Sequence, residues 1–289
     1  MRKIYDAFLF FNEIEILNLR MNILNDFVDY FVIVESTITF SSKPKQLFFK
    51  DNKHLFEKFN HKIIHIVIDD SPTNFFKIDY ITNCVTDEDI LRNRILEYVD
   101  KSTNWPRNQS QWGIEIYQRE CIIKGLTGCN ENDFIIISDV DEIPNPSKLI
   151  TLKNSNIDDV FEFKQKMYFY FLNMLKETNW SGPKSCSYMT LKKISLNSLR
   201  QNKHTTKIID DGGWHFSFMG GEKKIIEKIE SYAHQEYNTS YFKNNVKNNI
   251  IGNMDPFFRG HLTQVEIDST FPKYILENID KYSNMIKPK

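Results

Sequence analysis

Two aspartates that close an apolar run carry the clearest chemistry in this chain. In Phe134-Ile-Ile-Ile-Ser-Asp139-Val-Asp141-Glu142-Ile-Pro144 a continuous β-branched run empties into three carboxylates and is stopped by a proline. Such a run suits a strand buried on both faces of a sheet. Asp139 and Asp141 lie two apart, so in an extended chain their side chains project to the same face. Carboxylates held that close repel one another unless a cation sits between them, and hard ions such as Mg2+ or Mn2+ prefer oxygen ligands. The spacing therefore predicts a metal site at a strand end, with Asp139 and Asp141 as ligands and a diphosphate able to complete the coordination sphere. A plain acidic turn after a strand is the competing explanation.

The elements that must position this segment alternate between strand and helix. Tyr5 to Phe11 reads as a buried strand, Glu13 to Asn25 carries Ile16, Leu19, Ile23 and Leu24 at helical spacing, and Tyr30 to Val34 and Ile63 to Ile68 read as further strands. Strand, helix and strand in that order imply an α/β fold with a parallel sheet wound by right-handed crossovers. Residues 70 to 111 look like a polar surface excursion with a short helix near Asp89 to Tyr98, Gln111 to Leu126 is a helix that delivers the chain to the Asp139 strand, and Ser181-Gly-Pro183 reads as a turn. Ligands of open α/β sheets sit outside the carboxyl ends of the strands. Three such ends carry polar residues: Asn12-Glu13, Glu35-Ser36-Thr37 and Ser138 to Glu142. A nucleotide laid across them has its base near the first two and its diphosphate at the third. Arg119, on the preceding helix, could pair with that diphosphate, with a carboxylate, or only with a surface partner.

A second constellation is Asp210-Asp211-Gly-Gly-Trp214-His215-Phe-Ser-Phe-Met-Gly220-Gly221-Glu222, followed by a helix with Ile225, Ile226, Ile229 and Ala233 inward. Glycines beside an aromatic let a backbone approach a sugar closely, which makes Trp214 a candidate acceptor or donor platform, and Trp180 is a further acceptor candidate. Core packing is the alternative for each. A carboxylate in this segment could also serve as a general base. Glu222, after a glycine loop at a helix start, is the first candidate and Asp211 the reserve, although a helix N-terminus lowers a carboxylate pKa. His215 is a candidate third metal contact, and Arg259, in Asp255-Pro-Phe-Phe-Arg259-Gly-His261, could reach a diphosphate from a C-terminal loop.

Taken in order, Ile4-Tyr-Asp6-Ala-Phe-Leu-Phe-Phe-Asn12-Glu13, Val28-Asp-Tyr-Phe-Val-Ile-Val-Glu35-Ser36-Thr37, Phe40-Ser-Ser-Lys43-Pro44-Lys45, the Asp139 segment and Gly213-Trp214-His215-Phe-Ser217 resemble glycosyltransferase family 17, over roughly residues 4 to 260. That family is typified by addition of the bisecting N-acetylglucosamine to N-glycans. The resemblance implies a glycosyltransferase A fold, Rossmann-like with a mostly parallel sheet flanked by helices, and a metal-dependent inverting transfer from a UDP-sugar to a glycan hydroxyl. By the same resemblance Asp141 binds Mn2+ or Mg2+ directly, Asp139 meets the ribose or a bridging water, and Glu35 holds the uridine, unless it is a capping or turn carboxylate. Two rivals stay open: another hexose moved to a non-N-glycan acceptor, and a non-catalytic nucleotide-sugar or glycan-binding protein.

Composition bounds these readings. The 289 residues, 41% hydrophobic, suit a single catalytic domain over 1–289, with a nucleotide-sugar half at 1–145, an acceptor half at 146–270 and a tail helix at 271–289. With 37 basic against 38 acidic residues there is no global field to draw nucleic acid. Four cysteines, with no C-x-x-C pair among them, give no support for a zinc site or a disulfide framework. No stretch approaches about 18 apolar residues, so no transmembrane anchor is expected and the chain reads as soluble and intracellular, cytoplasmic, with a Lys-, Asn- and Ile-rich composition of bacterial or viral character.

Overall fold

The structure is a computed structural model that describes residues 2–102, 105–201 and 206–289. Strand β1 (Ile4–Phe10), helix α1 (Ile14–Leu24) and strand β2 (Tyr30–Ser36) open the chain, followed by α2 (Phe48–Asp51) and β3 (Ile63–Ile68). Helices α3 (Asp87–Lys101) and α4 (Ser110–Glu120) lead to β4 (Phe134–Asp139), β5 (Glu142–Pro144) and α5 (Pro146–Asn154). Then come β6 (Phe161–Phe169), β7 (Met174–Ser187), α6 (Tyr188–Leu191), α7 (Leu196–Arg200), β8 (Lys207–Ser217), α8 (Gly221–Ser231), α9 (Ser240–Ile251), β9 (Thr263–Gln264) and α10 (Lys273–Glu277).

One mixed sheet holds all nine strands among the described residues, in the order β3-β2-β1-β4-β7-β6-β8-β5, with β9 pairing β7. The β3-β2-β1-β4 half is parallel, as is β6 with β8, whereas β7 runs antiparallel to both β4 and β6, and β5 antiparallel to β8. Helices cover both faces. Strand alternation sorts β1 and β4 between them: Ile4, Phe8, Phe134 and Ile136 face α1, and Tyr5, Ala7, Ile135 and Ile137 face α3 and α4. Asp6 and Ser138 therefore point towards α1, where Arg20 waits.

Three local expectations change. Residues 70 to 111 are more than a surface excursion, because α3 is fixed by a Thr86/Asp89 capping box and buries Ile95, Leu96 and Val99 beside Phe75 and Trp105. Ser181-Gly-Pro183, expected as a turn, lies inside β7, where Ser181 pairs with Lys164. The segment expected as one helix from Gln111 to Leu126 tightens after Glu120 into a 3-10 turn, Cys121–Leu126, where a Cβ on Gly125 would lie 2.4 Å from Val32. The C-terminal tail is short helical turns, and it packs: Phe271, Ile275, Tyr282 and Met285 join the α1-side core.

Between β6 and β7 lies a buried ion pair, Lys184 Nζ to Glu162 at 3.0 Å, with Lys164 also on Glu162. Despite a burial penalty that works the other way, Lys164 and Lys184 hold Glu162 down to about 2, while burial pulls Lys184 down to about 8 against the attraction of Glu162. The two effects oppose each other. The depressed carboxylate contributes stability above its ordinary value that is lost as pH falls towards 2; the depressed ammonium subtracts stability below pH 8, relieved as pH rises towards its ordinary value. Glu162→Gln alone is expected to destabilise by roughly 3–5 kcal/mol at pH 7, and Glu162→Leu with Lys184→Met to be close to neutral. Urea unfolding of the three variants checks both; equal losses in the single and double variants would contradict this account.

Candidate active site

The carboxyl ends of β1, β2 and β4 lie side by side, and the loops that leave them form a cleft roofed by α4, α7 and α8. After Asp139 the chain turns at Val140 and Asp141 before β5 begins. The same-face argument from extended spacing therefore does not apply: Asp139 and Asp141 are held apart by a turn and are served by different elements.

Asp139 faces α4 and α7. Its Oδ1 lies 3.7 Å from Arg119 and its Oδ2 3.4 Å from Arg200, and its side chain is 44% exposed. Burial raises its pKa, but Arg200 first and then Arg119 outweigh that and hold the carboxyl below its usual range, with the neighbouring charge of Asp141 working against them. Asp141 is nearly buried. Its Oδ2 accepts a hydrogen bond of 2.8 Å from Lys228 of α8 and its Oδ1 lies 3.4 Å from His215 Nε2. Against the burial penalty, Lys228 and then His215 keep Asp141 far below the ordinary carboxylate range, and Asp141 raises Lys228 although burial opposes it. Glu142 is fully buried and accepts from Trp180 Nε1 at 2.9 Å, from Arg200 at 2.5 Å and from the Asp139 amide at 3.1 Å.

Of the remaining residues singled out in the sequence, Asn12 and Glu13 join this cleft: both line a small cavity with Asp141, Lys224 and Lys228, and Glu13 Oε1 is 3.7 Å from Lys228. His215 joins it too, with its Nδ1 buried and without a hydrogen-bond partner among the described residues. Trp180 packs against the His215 ring at 5.2 Å. Glu35 is buried and fully engaged, its carboxylate accepting the Phe49 and Lys50 amides at 2.8 and 3.1 Å and lying 3.1 Å from His65 Nε2. The capping explanation accounts for the two amide contacts at the start of α2, and His65 reaches the same carboxylate from β3. Ser36 is spent on the Ile38 amide at 3.2 Å.

Others face elsewhere. Trp214 follows the strand alternation of β8, which puts it on the face opposite His215, in the α1-side core with its Nε1 on the Thr270 carbonyl at 3.0 Å. Gly213 serves strand pairing there, since a Cβ would lie 2.1 Å from the Ile143 carbonyl oxygen. Asp211 is exposed and lines a separate groove of about 1000 Å³ with Lys164, Lys166 and Lys273. Glu222 is exposed in the first turn of α8, about 120° round the helix from Lys228. Arg259 is 3.1 Å from buried Asp255 and lies over Phe257 at 4.9 Å, closing its own loop.

Four residues of the site were not found from the sequence. Arg20 and Asp6, both fully buried, are paired at 2.6 Å beneath the turn; a charge within the apolar stripe of α1 and another within a buried strand were the available signal. Lys228 sits one turn past Lys224 on α8, a spacing that ordinary surface lysines share. Arg200 is presented by the five-residue α7, which Glu120 caps by accepting the Leu196 and Asn197 amides at 3.1 and 2.8 Å. Burial pushes the Glu120 carboxyl up to about 7, against those hydrogen bonds.

The donor set bears on a metal ion. Among the described residues no cluster of three or more His, Cys, Asp or Glu groups could cage a cation. Asp141 Oδ1 and His215 Nε2, 3.4 Å apart, are close enough to share an ion that takes its remaining ligands from a bound molecule, whereas Asp139 is turned towards Arg119 and Arg200.

No helix among the described residues is long and apolar enough to cross a membrane. Two curated relatives, the beta-1,4-mannosyl-glycoprotein 4-beta-N-acetylglucosaminyltransferases of Rattus norvegicus and Homo sapiens, are each 28% identical over 102 residues, 33% of this chain and 19% of theirs. The chain thus matches less than a fifth of their length. The model of glycosyltransferase family 17 matches residues 1–83 and 77–287. With that match running almost end to end, across the strand ends, the β4 turn and His215 alike, the chain belongs to glycosyltransferase family 17.

Proposed function

We propose that this chain moves a sugar, N-acetylglucosamine first, from a UDP-sugar to a hydroxyl of a glycan, with inversion. The observation that carries this reading is the gathering of Asp139, Asp141, Asn12, Glu13 and His215 at the carboxyl ends of β1 and β4 beneath Arg119, Arg200 and Lys228. N-acetylglucosamine is suggested by the names of the two curated relatives. We read the parallel β3-β2-β1-β4 half as the nucleotide half of a glycosyltransferase A fold.

Asp141 and His215 would hold a Mn2+ or Mg2+ ion, with Asp139 meeting the ribose or a bridging water, and the ion when bound would stabilise negative charge on the departing diphosphate. The chain's own cations do related work. Arg119 and Arg200 at Asp139, and Lys228 at Asp141, are placed to take up the negative oxygens of a diphosphate, and preorganised charge of this kind needs no rearrangement during transfer. Asn12 lies where the nucleotide side of the donor would enter. Trp180, held by Glu142 and packed beside the His215 ring, is the better placed of the two tryptophans to meet an acceptor sugar.

The proton taken from the acceptor hydroxyl needs a carboxylate in the cleft. Glu13 shares a cavity with Asp141, whereas Glu222 faces solvent and Asp211 a different groove. Glu13→Gln is therefore expected to lower kcat by about 10²-fold or more and Glu222→Gln by much less. The reverse order would return the base to the head of α8.

The test of the whole reading is UDP release from a panel of UDP-sugars with Mn2+ and with EDTA, using an N-glycan acceptor. Preferred turnover of UDP-N-acetylglucosamine that EDTA abolishes is the expected result. No turnover of any donor would sink it, and equal turnover in EDTA would remove the metal from it.

A further inference from the structure

Beneath the β4 turn lies a charged pair that the chemistry above does not touch. Arg20 of α1 and Asp6 of β1 are both fully shielded from solvent, and two guanidinium nitrogens of Arg20 meet both Asp6 oxygens at 2.8 and 2.6 Å. The rest of the guanidinium is spent on the turn. One nitrogen reaches the carbonyls of Asp139, Val140 and Glu142 at 3.0, 3.1 and 2.8 Å, and the other reaches Ser138 Oγ at 2.6 Å. The Asp141 carbonyl is taken separately, by the Phe216 amide at 2.9 Å. Every backbone carbonyl from 139 to 142 is thus assigned, and three of the four depend on one side chain.

We infer that Arg20, oriented by Asp6, is a positioning residue for the donor site: it fixes the turn that aims Asp139 one way, towards α4 and α7, and Asp141 the other, towards Lys228 and His215. Two physical arguments favour this over a purely stabilising role. A buried ion pair contributes little net stability compared with well-packed apolar residues of similar volume, so stability alone does not call for one here. An apolar pair, however, would leave three carbonyls of a buried turn without donors, and the turn would rearrange to find them. Asp6 does for the guanidinium what an outer carboxylate does for a metal-ligating imidazole: it sets the plane, and the plane selects which acceptors are met. The inference rests on the donor-site reading given above.

Arg20→Lys retains the charge beside Asp6 but replaces a planar fork with a single point donor, which cannot reach the three carbonyls and Ser138 together. Ser138→Ala removes one contact with almost no change in volume. Leu24→Ala, on the same helix and buried in the core away from the turn, serves as a control for lost stability. Each variant is assayed for kcat and KM with a UDP-sugar, and for UDP affinity by calorimetry, at a temperature well below its own melting point.

Arg20→Lys is expected to weaken UDP binding and kcat/KM by roughly 10–100-fold, with Ser138→Ala between it and the wild type. Leu24→Ala should lose melting temperature and keep its UDP affinity. The inference is overturned if Arg20→Lys melts earlier but binds and turns over donor as the wild type does. Should Arg20→Lys not fold, unchanged UDP affinity and kcat/KM in Ser138→Ala overturn it instead. A wild-type chain that binds no UDP and turns over no UDP-sugar would count against the donor-site reading, which separates that failure from this one.

Discussion

Asp141→Asn is expected to lower sugar transfer roughly 10³-fold, about 4 kcal/mol of transition-state stabilisation, while the fold survives. The carboxylate is nearly buried, stays charged far below neutral pH, and sits where a cation or a diphosphate would meet both Lys228 and His215. Asparagine keeps the volume and one acceptor oxygen but removes the charge. The structural cost should be modest, about 1–2 kcal/mol, because Lys228 is 24% exposed and has Glu13 at 3.7 Å as a second partner. Donor turnover and thermal melting, measured on one preparation, separate the two effects. Near-normal turnover, or a collapse of the fold in step with activity, would show that Asp141 is a structural carboxylate.

Arg20→Ala is expected to be strongly destabilising, by about 3–5 kcal/mol, since it leaves the Asp6 carboxylate buried without its partner and frees three turn carbonyls. Packing adds to this, as the guanidinium lies 4.4 Å over the Phe8 ring. Asp6→Ala should cost less, because Arg20 retains the carbonyls and Ser138. The double variant Asp6→Ala with Arg20→Ala should fall clearly short of the sum, the mark of two residues in one network. Denaturant unfolding of the three variants gives the comparison, and additive losses would show that the pair is not coupled.

The parallel half of the sheet was legible because its strands carry near-continuous apolar runs and α1 carries helical spacing between them, signals that belong to the residues themselves. β4 and its carboxylates stood out for the same reason. What failed was direction. Extended spacing put Asp139 and Asp141 on one face, yet the turn at Val140 sends them to different cationic partners, and a turn held by a distant arginine leaves no mark in its own sequence. Trp214 and His215 are neighbours in the chain and lie on opposite faces of β8, so a motif containing both could not say which one meets the cleft. Glu222 and Asp211 were chosen for the company they keep in sequence; burial and helix phase decide against their facing the cleft. Arg200 comes from a five-residue helix whose cap, Glu120, belongs to α4, a contact across the fold that no local pattern encodes. Asp6 and Arg20 were missed although they left a signal, since charges in apolar positions of a core need a partner.

The most direct measurement is calorimetric titration of UDP into the wild type and into Asp139→Asn and Asp141→Asn, with Mn2+ and with EDTA. If the cleft at the end of β4 is the donor site, UDP binds the wild type with Mn2+ and loses most of its affinity in EDTA and in both variants. UDP that binds all three proteins equally, with or without the metal, would place the nucleotide elsewhere and contradict the account.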